Sequence, residues 1–262
     1  MYKEKIRPKL KKLYWFGKQR YFNVVDAFIS SSPAVAVIGC GRSGTNMVLE
    51  ILSGHSALCP TSPDPEDKRF FVKGRRFPPG YLSKCDTDYG STESLIALLR
   101  LNSRLKIVWT IRDPRDICLS KLRRGVPESE GGDWINRSED STDRGCIKSI
   151  TKMFEMYQCV SSKFSGRIYL VRMEDVINDV PGESKRLAGF LNIEYQPAMV
   201  HFPQRMRNEK KRARYGNEVD KGQVGLWHDT ETVYDGFFAG QAERLGPMFD
   251  RLDSVIHYFG CK

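Results

Sequence analysis

The sequence predicts an α/β fold: a single domain with a central, mostly parallel β-sheet flanked by helices, built on a P-loop-like phosphate-binding strand, turn and helix. Three observations predict it. The runs AVAVIG (34–39), LKIVWTI (105–111) and RIYLVRM (167–173) are short, apolar and β-rich, and read as buried strands. Each is followed by a stretch of helical period, the order that gives parallel strands joined by helical crossovers. The first run enters its helix through Gly39, Gly41 and Gly44.

Along the chain, residues 1–31 read as a basic N-terminal helical arm and 32–262 as the domain. Ala34–Gly39 is bounded by Pro33 and by the glycine-rich turn, and Ser43–Ser53 reads as the helix after it. Cys59–Gly80, with prolines at 60, 63, 65, 78 and 79, is irregular. Tyr81–Lys84 reads as a short strand end and Thr92–Leu101 as a helix. The strand Leu105–Ile111 runs straight into Arg112-Asp113-Pro114. There Asp113 fits an N-cap, Pro114 the first helical turn and Asp116 the third position of a capping box, so a helix is expected to about Arg123. Gly125–Arg144 is a polar loop. Cys146–Lys163 is helical, Arg167–Met173 is a strand and Ser184–Leu191 a helix. Glu231–Leu245 and Met248–Phe259 read as closing helices.

The bulk numbers bound the class. A chain of 262 residues, 40% hydrophobic and 28% charged, is long enough for one domain with a full core. The formal charge is +10, and residues 1–20 carry eight Lys/Arg against one Glu. Ile6, Leu10, Leu13 and Phe16 recur there at helical spacing, which fits either a helix packed on the domain or peripheral contact with a membrane surface. No apolar run approaches a membrane span and no apolar core follows the basic N-terminus, so a soluble, cytoplasmic protein is expected. The seven cysteines are scattered without a CxxC pair and the four histidines lack ligand spacing; reduced thiols and no metal are expected. The sequon at Asn136 is a chance-level match.

The turn between the first strand and helix carries the chemistry. Gly39, Gly41 and Gly44 allow positive φ and close approach of an anion, and the helix N-terminus adds partial positive charge. A nucleotide-triphosphate P-loop needs Lys after its last glycine and then Ser or Thr for magnesium. Gly39 and Gly44 have that spacing, but Thr45 and Asn46 occupy the two positions. The cation lies inside the turn instead, as Arg42. A nucleotide-kinase-like P-loop protein is therefore the weaker enzyme reading. A non-enzymatic polyanion-binding module explains the basic segments at 1–20 and 205–214, but not the motifs that follow.

The stretch GRSGTN (41–46) resembles the 5′-phosphosulfate loop of sulfotransferases that use 3′-phosphoadenosine 5′-phosphosulfate (PAPS, with product PAP). Two further stretches carry the same resemblance. In IRDPRDICLS, Arg112 and Ser120 match in type and spacing the pair with which the family binds the 3′-phosphate. In DKGQVGLWHD, Lys221, Gly222, Gly225 and Trp227 match a late loop that closes over that phosphate. Asp220 stands where Arg is usual there, and Arg212 or Arg214 is a candidate replacement. LVRMEDV resembles the family's third strand and turn, with Met173 in place of the usual adenine-edge Tyr. Over residues 35–227 the likeness is closer to saccharide-type and bacterial members than to the cytosolic phenol type.

The resemblance implies transfer of a sulfuryl group to a hydroxyl or amine. It places Arg42, the backbone amides of Gly41, Ser43, Gly44, Thr45 and Asn46, and the Thr45 hydroxyl on the 5′-phosphate; Arg112, Ser120, Lys221 and Gly222 fall to the 3′-phosphate. Lys84, in YLSKCDTDY, lines the acceptor side. The base candidates are Glu66 and Asp67, ahead of Phe70-Phe71, and then Asp86, at the position of a family His two residues after the Lys. A carboxylate in a partly buried cleft is expected to have a raised pKa. His55 reads as structural and His201 as an outside candidate. The loops at 59–80 and 125–144 are expected to shape the acceptor pocket. The expected acceptor is a saccharide or polar small molecule; nucleic acid is not an expected partner.

Overall fold

The computed structural model describes residues 32–60, 67, 69–72, 74–124, 142–201 and 224–261. The N-terminal arm, Glu66, the loop at 125–141, the sequon, Arg212, Arg214, Lys221 and Gly222 lie outside them.

Five strands form one sheet: β1 (Ala34–Gly39), β2 (Cys59–Pro60), β3 (Tyr81–Asp86), β4 (Leu105–Ile111) and β5 (Ile168–Arg172). Their order is β2-β3-β1-β4-β5, and every pairing is parallel. Nine helices accompany them among the described residues: α1 (Thr45–Leu52), α2 (Thr92–Leu101), α3 (Pro114–Arg124), α4 (Asp143–Lys163), α5 (Met173–Asn178), α6 (Val180–Leu191), α7 (Val233–Gly236), α8 (Ala242–Asp250) and α9 (Asp253–Tyr258).

Strand periodicity divides the core in two. On β1, Ala34, Ala36 and Ile38 face a cluster built with α2, α3, α4 and the closing helices. Val35 and Val37 face the other side, against α1, α5 and α6. All six residues of β1 are buried, as expected for a central parallel strand covered on both faces. The chain leaves β1 for β2 and β3 on one side and then crosses to β4 on the other. The C-terminal end of β1 is therefore a topological switch point, where open α/β sheets bind ligands.

Several boundaries differ from the sequence expectation, each for a local reason. Helix α1 starts at Thr45 rather than Ser43, because Gly44 sits at φ 94° as its N-cap. Strand β3 extends to Asp86. Helix α6 starts at Val180, capped by Asp179, whose carboxylate accepts the Gly182 N–H, with proline in its first turn. The expected helix 231–245 breaks into α7 and α8, because Gly236 and Gly240 take left-handed φ values of 76° and 69°. Helix α8 then runs through Pro247 to Asp250, and α9 follows separately.

Candidate active site

The turn at the end of β1 is shaped by contacts that admit no side chain. A Cβ at Gly39 would lie 2.3 Å from both the Ser43 and the Thr110 hydroxyls. A Cβ at Gly44 would lie 2.5 Å from the Met173 sulfur. Ser43 is fully buried and closes the turn: its N–H donates to the Cys40 carbonyl and its hydroxyl pairs with Thr110 on β4 at 2.8 Å. The N–H and the hydroxyl of Ser43 are thus both engaged within the protein. Gly44, Thr45 and Asn46 carry the open end of α1, which has no side-chain cap.

Arg42 is a non-glycine residue at φ 76°. That left-handed conformation is strained for an L-residue and concentrates at functional sites. It sends the side chain toward α3, where Nε donates to Ser120 Oγ at 2.7 Å. The arginine of the first motif and the serine of the second, 78 residues apart, are in direct contact. Cys40, buried beneath the turn, is pushed up to about 12 by burial, against the opposing charge of Lys121, so it stays a neutral thiol.

Arg112 lies at the end of β4, 5% exposed, with a guanidinium nitrogen 3.5 Å from Asp116 Oδ2. Asp113 caps α3 by accepting the Arg115 N–H, as expected. The capping-box partner is different. The Asp113 N–H donates to Glu174 at 2.7 Å, while Asp116, fully buried, accepts the backbone N–H groups of Gly225 (2.9 Å) and Trp227 (3.0 Å). Burial pushes the Asp116 carboxyl up, with Arg112 and those amides opposing. The Arg115 guanidinium lies 3.2 Å from the centre of the Trp227 ring, a close cation–π contact. The described end of the third motif is therefore docked on the helix of the second.

The acceptor-side candidates separate. Lys84 and Asp86 sit on β3, in register with Val37 and Gly39 of β1. The Asp86 carboxylate accepts the Asp88 N–H with one oxygen; the other lies 3.1 Å from where a Gly41 Cβ would be. Asp67 is paired with a cation. Its carboxylate bonds Arg75 at 2.6 Å and the Tyr81 hydroxyl at 2.8 Å, and the hydroxyl continues to Ser83. Burial raises the Asp67 pKa, but the bonds from Arg75 and Tyr81 outweigh it and hold the carboxyl below its ordinary value. The expected upward shift is thus reversed, because a cation accompanies the carboxylate into the cleft. His55 is structural: its Nδ1 accepts the Ala57 N–H, so Nε2–H donates to the Glu194 carbonyl. His201 is exposed.

Sequence reasoning missed Lys121. It is buried beside Gly41, donates to Ser149 at 2.7 Å and lies 3.9 Å from Asp88. Only its place next to Ser120 hinted at this. Met173, read as an adenine-edge position, packs on Gly44. Among the described residues, no group of three or more His, Cys, Asp or Glu could hold a metal ion. No helix among them is long and apolar enough to cross a membrane.

A family model described as "Sulfotransferase family" matches residues 63–197, just over half of the chain. The chain belongs to the sulfotransferase family. The match spans β3, β4 and β5 and the Arg112–Ser120 motif, and the fold agrees with it. The sulfotransferase domain from the curacin biosynthetic pathway superposes with a TM-score of 0.55 at 16% identity, covering 84% of this chain and 98% of that one. The sulfotransferase domain from the Synechococcus PCC 7002 olefin synthase gives 0.54 at 12% identity, covering 84% and 96%. A mouse sulfotransferase crystallised in complex with PAP gives 0.54 at 15% identity, covering 84% of each chain. No curated protein matches this sulfotransferase at the sequence level.

Proposed function

We propose that this sulfotransferase moves a sulfuryl group from PAPS to a hydroxyl or amine of a saccharide or polar small-molecule acceptor. The observation that carries the donor reading is the 2.7 Å contact between Arg42 and Ser120. It joins the 5′-phosphosulfate turn to the 3′-phosphate pair across the switch point of the sheet. The turn also fits an anion: Gly44 takes a left-handed φ of 94°, and the helix start it caps has no side-chain cap. The mouse neighbour crystallised with PAP is consistent with this donor.

PAPS supplies a sulfuryl group on a phosphate leaving group. Arg42 and the amides of Gly44, Thr45 and Asn46 hold the 5′-phosphate and neutralise the charge that grows on its bridging oxygen as the S–O bond breaks. Arg112 and Ser120, with Lys221 and Gly222, hold the 3′-phosphate. Lys84 steadies the transferring group from β3. The acceptor oxygen forms the new bond to sulfur and gives its proton to a carboxylate. Asp86 is our assignment for that base: it sits at the end of β3 beside Gly41, whereas Asp67 is committed to Arg75 and Tyr81. The polar acceptor class rests on this carboxylate standing where phenol-type members carry His.

Calorimetric titration with adenosine 3′,5′-bisphosphate, beside ATP with magnesium at moderate salt, tests the donor. One-to-one binding of the bisphosphate without magnesium supports it, and an acceptor screen then follows. A preference for magnesium-ATP overturns it. Salt-sensitive binding of any polyanion alike would favour the non-enzymatic module.

A further inference from the structure

Asp116 is the one acidic side chain of α3 that is fully buried, and it serves two partners at once. Its Oδ2 takes the Gly225 N–H and faces the Arg112 guanidinium; its Oδ1 takes the Trp227 N–H. Two backbone donors, one on each oxygen, restrict rotation of the carboxylate. An arginine carries about 2 kcal/mol of side-chain rotamer entropy, so a carboxylate pinned on its far side narrows where Arg112 can point. Arg115, stacked on Trp227 and paired with Asp113, holds the same backbone segment from the other side.

We infer that Asp116 is a positioning residue: anchored by the Gly225 and Trp227 amides, it aims Arg112 at the donor's 3′-phosphate and couples that phosphate to the order of residues 225–227. This rests on the donor reading above. Its energetic logic runs against simple charge counting. Removing a carboxylate from an anion site relieves repulsion, so an electrostatic bystander would bind phosphate more tightly once lost. A positioning group gives the opposite result. Coupling is reciprocal, so the ligand that fixes Arg112 also slows opening of the two N–H hydrogen bonds to Asp116.

The test compares adenosine 3′,5′-bisphosphate with adenosine 5′-phosphate on the full chain, in wild type, Asp116→Ala and Asp116→Asn. Calorimetry is read together with hydrogen exchange over 224–229. In wild type the bisphosphate binds more tightly and slows exchange at Gly225 and Trp227. In Asp116→Ala the affinity for the bisphosphate falls about tenfold or more, affinity for the monophosphate holds, and the exchange response vanishes. Asp116→Asn keeps the volume and one oxygen acceptor, so it folds if the alanine variant does not, and it shows a partial loss of the same preference. Equal weakening of both ligands, or tighter binding of the bisphosphate, overturns the inference alone. A wild type that does not distinguish the two ligands overturns the donor reading, and the inference with it.

Discussion

Arg42 is both the proposed cation on the leaving phosphate and a strained residue, and the two properties separate by substitution. At φ 76° a side chain costs about 1 kcal/mol or more relative to glycine. Arg42→Gly removes that strain and also removes the guanidinium bond to Ser120, a charged, part-buried contact contributing about 1.5 kcal/mol. The two changes nearly cancel, so stability in urea should stay within about 1 kcal/mol of wild type. Arg42→Ala loses the same bond but keeps a Cβ at positive φ. It should be less stable than Arg42→Gly by about 1 kcal/mol. Both variants lose a preorganised cation where charge develops, so turnover, followed as release of adenosine 3′,5′-bisphosphate, should fall about 10²–10³-fold. The alanine variant being as stable as the glycine variant would refute the left-handed turn. Turnover within tenfold of wild type in either would refute Arg42 as the cation of the transfer.

Asp86→Asn keeps an oxygen to accept the Asp88 N–H, so the fold should hold while turnover drops about 100-fold or more; near-normal rates at saturating acceptor would show that another group takes the proton. Gly39→Ala drives a Cβ to 2.3 Å from the Ser43 and Thr110 hydroxyls, and denaturant unfolding should show a loss of about 3 kcal/mol. Asp67 is held below its ordinary carboxyl pKa, so its contribution is present at neutral pH and is lost as pH falls below the ordinary value of 3.8. Asp67→Asn should therefore lower stability at pH 7 and flatten its acid dependence, and urea midpoints across pH measure both; an unchanged acid limb would contradict the Arg75 pairing.

How much was legible in the sequence follows from what each feature depends on. Strands β1 and β4 were readable to the residue because a central parallel strand buries both faces and needs a predominantly apolar run. The cradle was readable because its glycines and arginine are contiguous. Backbone conformation is set locally, and only a short list of residues tolerates it. The closing helices were not, because left-handed glycines at 236 and 240 cut an otherwise helical pattern.

The site's pairings depended on the tertiary structure. The sequence marked Arg42 by its place in the glycine turn, and Arg112 and Ser120 by their resemblance to the family's motif. That Arg42 meets Ser120 was decided by strand order, since β4 lies beside β1 and brings α3 over the turn. The sequence offered Glu66 and Asp67 as base candidates ahead of Asp86. Packing distinguished Asp67 from Asp86, pairing Asp67 with Arg75 and Tyr81 and placing Asp86 beside Gly41. Asp116 looked like a local helix cap, because sequence shows a residue's near neighbours. Its partners lie 109 and 111 residues away, and only the folded chain brings those amides to it. Local geometry was written in local composition. Charge environment is a sum over neighbours in space, and the fold supplies them.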